Sequence, residues 1–105
     1  MGCNTLNNEI SIVDLAGALT LPLISELFAA NSNLTELNTL FHRLDLLYEN
    51  DRYILAFDII YDLFRKTRLE IPCVFYEMIE TSQDKRSFVG EFLTDFQEIL
   101  SELSC

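Results

Sequence analysis

The chain has 105 residues, half of them apolar, and seven Lys and Arg against seventeen Asp and Glu leave a net charge of −10. That length fits one domain, and that apolar content fills a core without disulfides or metal, which excludes a disordered chain. An acidic balance with a pI near 4.2 argues against direct nucleic-acid binding, because attraction to phosphates needs clustered cations.

We read residues 1–105 as a single helical domain with residues 1–7 as a flexible N-terminal arm. The start, Met1-Gly2-Cys3, resembles that of dually acylated proteins, which would place lipid on Gly2 and Cys3. The usual myristoylation pattern wants Ser or Thr at position 6, where this chain has Leu6, and no polybasic segment follows. An unmodified start is therefore the expectation. There is no positive segment followed by an apolar run, so no signal peptide is expected. No apolar run is expected to reach the roughly 18 residues of a membrane span. Cys3, Cys73 and Cys105 are odd in number and far apart, which suits a reducing, cytoplasmic compartment rather than a disulfide framework.

The first periodic segment covers about residues 8–19, with Ile10, Val13 and Ala16 at helical spacing and a small patch, Ala16-Gly17-Ala18, where another helix can come close. Thr20-Leu21 reads as a break. Pro22 then fits the first position of a second helix, where its missing N–H costs nothing, and Leu23, Ile24, Leu27 and Phe28 give that helix an apolar stripe. Asn31-Ser32-Asn33 reads as a loop.

A third helix is expected over about 34–49, with Leu37, Leu40, Phe41, Leu44, Leu47 and Tyr48 on one arc of about 120°. Leu46 falls outside that arc, beside Thr39 and His42. Asn50-Asp51 reads as the cap of a fourth helix, 52–68, which is apolar over most of its circumference. A helix of that kind is a buried one, so 52–68 is expected at the centre. Residues 73–80 fit a helix starting at Pro72 or a short strand, and the lack of a second strand favours the helix.

The last helix, about 84–103, starts at Ser82 or Asp84. Val89, Leu93, Phe96, Leu100 and Leu103 step by four and three, widened by Phe88, Phe92 and Ile99. The fold expected is thus all-α: a compact antiparallel bundle of five or six helices.

Chemistry is sparse. His42 is the sole histidine and lies on a polar helix side. Cys73, between Pro72 and Val74, reads as a core thiol. Zinc needs four close Cys or His ligands, and the four such residues here are scattered. No phosphate-cradling glycine loop or nucleophile motif is present. Asp58 and Asp62 stand four apart, but Asp62 precedes Arg65 and Lys66 in a favourable ion-pair order. No catalytic residue, cofactor or metal is expected.

What stands out is the outer side of the last helix. After Arg86 the chain has no cation. Glu91, Asp95, Glu98 and Glu102 share a strip of about 60°, and Ser87, Gly90, Thr94 and Ser101 form a small neutral face. From Glu70 onward there are eight acids and two bases; before it, nine and five. Like charges four apart cost a few tenths of a kcal/mol, a cost recovered against a basic partner. The expectation is a non-enzymatic acidic module that docks on another protein and inhibits or modulates it, as immunity proteins, antitoxins and phage counter-defence inhibitors of this size and charge do. The alternatives are a structural or adapter subunit, assembling as a homodimer or hetero-complex through an apolar or small-residue helix face and held at a membrane only if acylated at its start, and a nucleic-acid mimic. Four carboxylates over roughly 16 Å of helix are sparse for a mimic.

Overall fold

The computed structural model describes residues 11–31, 34–67, 75 and 79–104. They form four helices: α1 (Ile12–Asn31), α2 (Leu34–Glu49), α3 (Tyr53–Thr67) and α4 (Ser82–Ser104). The described residues contain no strand. The expected five or six helices are not matched, chiefly because the first two expected helices are one.

α1 runs for 20 residues straight through Pro22. Ser11 caps it, its hydroxyl accepting the Asp14 N–H at 3.1 Å. Pro22 has no N–H to give the carbonyl of Ala18, four residues earlier. Both residues lie on the exposed side, where water can satisfy that carbonyl. Thr20 does not begin a new helix: it is buried, and its hydroxyl donates back to the Ala16 carbonyl at 2.7 Å. The continuity has a second consequence. Ile12–Ala29 is long and apolar enough, by length and composition alone, to cross a membrane, whereas two helices divided at Thr20-Leu21 offer no such stretch. One side of it is core, with Leu15, Ala16, Leu19, Leu23, Ile24 and Leu27 buried.

α2 and α3 are joined by residues 50–52 in a tight C-terminal motif. Asp51 has a φ of 63°, the Asp51 N–H donates to the Tyr48 carbonyl at 3.1 Å, and the Arg52 N–H donates to the Leu47 carbonyl at 2.7 Å. These two bonds, with a left-handed residue between them, close the end of α2 as a Schellman motif. Asn50-Asp51 therefore terminates α2 rather than capping α3, and the Asn50 side-chain amide donates to the Leu46 carbonyl at 2.8 Å. So short a link makes α2 and α3 antiparallel neighbours.

The segment expected over 73–80 lies largely outside the described residues. Phe75 and Ile79 are described and buried, and the Ile79 N–H donates to the Phe75 carbonyl at 3.0 Å, the spacing of one helical turn. The N-cap of α4 is Thr81, one residue before Ser82. Its hydroxyl accepts the Asp84 N–H at 3.1 Å, and the Asp84 carboxylate accepts the Thr81 N–H at 3.3 Å. This reciprocal pair is a capping box with Asp in place of the usual Glu.

The centre of the bundle is α4, not the 52–68 helix. α4 packs on α1, α2 and α3, most extensively on α1. Phe88, Phe92 and Phe96 are fully buried along it. Their rings continue a series from Phe57 and Phe75, stacked at 5.6 Å, through edge contacts Phe75–Phe88 at 5.3 Å and Phe96–Phe41 at 5.7 Å. The seam ends at Leu100, because Leu103 is 45% exposed. α3 buries Ala56, Phe57, Ile60 and Phe64, but its other apolar side is open: Leu55 is 48% exposed and Ile59 and Leu63 are half-buried. The Cα radius of gyration, 13.6 Å, is close to that of a compact chain of this length.

Candidate interaction faces

α4 is held by a different neighbour on each flank, and this sorts the residues expected to bind a partner. On the flank of the small residues lies α2. A Cβ on Gly90 would stand 2.7 Å from the Tyr48 hydroxyl oxygen and 3.2 Å from its Cζ, far inside normal contact. Gly90 is thus the point where Tyr48 of the same chain crosses α4. It is not a free mid-helix glycine. The Arg86 guanidinium sits over the same Tyr48 ring at 6.0 Å. Further along, Ser101 and Gln97 of α4 face Asn38, Phe41 and His42 of α2 around a shallow pocket of about 200 Å³. Ser87 is half-buried; Thr94 is exposed, its hydroxyl donating to the Gly90 carbonyl at 3.0 Å. Gly90 is therefore taken up by a contact within the chain, while Ser101, at the end of the small face, stays exposed at the rim of that pocket.

On the opposite flank lies α1. A Cβ on Gly17 would be 3.4 Å from Asp95 Oδ2, so the small patch Ala16-Gly17-Ala18 does receive another helix, and that helix is α4. Asp95, on this seam, and Glu91 are half-buried, while Glu98 and Glu102 are exposed. Asp14, three residues before Gly17 and one turn away on α1, adds an exposed carboxylate beside it. Among the described residues the one ion pair is Lys66–Asp62 at 3.3 Å, the order its spacing predicts, and none of the four α4 acids has a cation within ion-pair distance. The strip thus divides into two exposed acids, Glu98 and Glu102, and two half-buried ones, of which Asp95 borders α1.

Leu46 is 61% exposed, as its position off the α2 arc implies. His42 is exposed, its ring edge-on to Phe41 at 5.7 Å. No group of three or more His, Cys, Asp or Glu that would suit a metal ion occurs among the described residues. Gly2, Cys3, Cys73 and Cys105 lie outside them.

Two apolar hollows were not singled out by sequence. One, of about 250 Å³, is lined by Phe57, Asp58, Tyr61, Phe75, Ile79 and Lys85, with the Lys85 ammonium 5.3 Å from the centre of the Phe57 ring. The other is a groove of about 440 Å³ between α2 and α3. Leu40 and Leu47 line one wall, Leu55, Ile59 and Leu63 the other, with Arg43, Asp58, Asp62 and Lys66 also lining it. The signal for it was present in the sequence: α3 carries more apolar surface than one core can take.

No protein-family model, no curated protein and no solved structure matches the chain.

Proposed function

We propose that this chain is a small, non-enzymatic, acidic protein-binding module that docks on a basic surface of another protein and modulates it. The observation that carries the reading is the unneutralised acidity of the outer side of α4. Glu98 and Glu102 face solvent, Glu91 and Asp95 flank them, and no described cation reaches any of the four. Repulsion between Glu98 and Glu102, four residues apart, is a standing cost in the free protein that a basic partner removes. Such a face works chiefly through encounter: it steers a basic surface in and weakens with salt. Gly90 contributes little to this docking, because Tyr48 of the same chain lies against it.

The test is a charge-neutral variant carrying Glu91→Gln, Asp95→Asn, Glu98→Gln and Glu102→Gln. The immobilised wild-type chain is expected to retain a basic protein from a source lysate at low salt and release it as salt is raised. The variant is expected to retain none. Equal retention by the two proteins, or retention indifferent to salt, would overturn the proposal.

A further inference from the structure

The groove between α2 and α3 is the outer apolar side of the helix whose composition calls for burial all round. On α3 Leu55 is exposed, while Ile59 and Leu63 are half-buried against the core; with the half-buried Leu40 and Leu47 of α2 they line a groove of about 440 Å³ that is open among the described residues. No residue of α1 or α4 contributes to it. Apolar side chains gathered in one groove, with charged ones among them, make it a candidate docking surface.

The charges select the occupant. The groove carries two cations, Arg43 and Lys66, and two anions, Asp58 and Asp62, so it sums to zero in a chain of net −10. Lys66 and Asp62 already satisfy each other across one turn at 3.3 Å. That leaves Arg43 on α2 and Asp58 on α3, one on each wall, neither with an ion-pair partner among the described residues. A strongly basic partner meets Arg43 there, and a strongly acidic one meets Asp58. A surface with one cation on one wall and one anion on the other complements itself under two-fold rotation.

We propose that the α2–α3 groove is the interface of a homodimer. Two hairpins pack face to face, the Leu and Ile rows of both copies close over one another, and Arg43 of each copy meets Asp58 of the other. The balanced groove also lets two chains of net −10 approach without adding like charge at the contact, and it leaves the outer side of α4 free in both copies.

Sedimentation velocity of the full chain over a range of concentrations tests this. The wild type is expected to reach twice the 12.1 kDa chain mass. Leu55→Glu is expected to hold it monomeric, while Leu21→Glu, an equally exposed position on α1, leaves the dimer intact. Arg43→Asp and Asp58→Arg are each expected to raise the dissociation constant about tenfold or more, and the double variant to return it to within a few-fold of wild type. The charge pair decides the matter even if Leu55→Glu fails to fold, because both charged positions are exposed. A wild type that stays monomeric at every concentration would overturn the proposal. So would a dimer insensitive to both charge reversals, or one lost with Leu21→Glu. The proposal does not rest on the acidic face: neutralising the four α4 acids is expected to leave the dimer unchanged.

Discussion

At position 90 two effects of opposite sign meet. A mid-helix glycine costs about 1 kcal/mol against alanine, yet an alanine methyl here would stand 2.7 Å from the Tyr48 hydroxyl. Gly90→Ala is therefore expected to change the stability of the wild type by no more than about 0.5 kcal/mol, because the tip of the half-buried Tyr48 side chain must swing aside and offsets the gain in helix propensity. In a Tyr48→Ala background the same change is expected to stabilise by up to about 1 kcal/mol, since only helix propensity remains. Urea denaturation of the four proteins measures the coupling, and an identical effect in both backgrounds would mean that Tyr48 does not explain the glycine. Asp51 gives a second residue-level case. It holds φ at 63°, a conformation costly for an L residue. Asp51→Gly is expected to gain about 0.5 kcal/mol net of the greater freedom glycine has in the unfolded chain. A loss of stability in the same denaturation series would show that the aspartate side chain matters more than the backbone there.

At the scale of the elements, α1 is where periodicity and structure part. Apolar spacing located both halves, but Thr20-Leu21 read as a break and Pro22 as a start signal, which it is in most contexts. What sequence spacing did not weigh is the side on which each lies: Pro22 is exposed, where water can reach the carbonyl it leaves without a partner, and Thr20 is buried and bonds to Ala16. Pro22→Ala is therefore expected to stabilise the protein by about 2 kcal/mol, because it restores a bond inside a continuous helix; a destabilised variant in thermal unfolding would point to a helix that starts at Pro22. α3 shows the complementary limit. Its apolar circumference was plain, but the inference from circumference to centrality assumed that every apolar side is covered within one chain. α4 took the centre instead because its 23 residues present the Phe88, Phe92 and Phe96 series to three helices at once. The capping box that starts it is local, and Thr81→Ala is expected to cost about 1 kcal/mol, read in the same unfolding experiment.

For the whole molecule, the all-helical class and most of the core were legible, since buried positions such as Leu37, Leu44, Phe57 and Leu93 follow helical spacing. The small face was legible as a stripe but not as to its neighbour, because spacing along one helix carries no information on which other helix lies against it. The acidic side was legible in position and in charge, and the fold adds that Asp95 borders Gly17 of α1 while Glu98 and Glu102 face outward. This division places the charge to be tested chiefly on the last two turns of α4. The measurement that bears most directly on the function proposed here is therefore partner retention as a function of salt, comparing the wild type with Glu98→Gln and Glu102→Gln together. Both positions are exposed, so the fold should be unaffected, as circular dichroism can verify. The account predicts that the double variant loses most of the low-salt retention and nearly all of its salt dependence; retention and salt dependence equal to those of the wild type would contradict it.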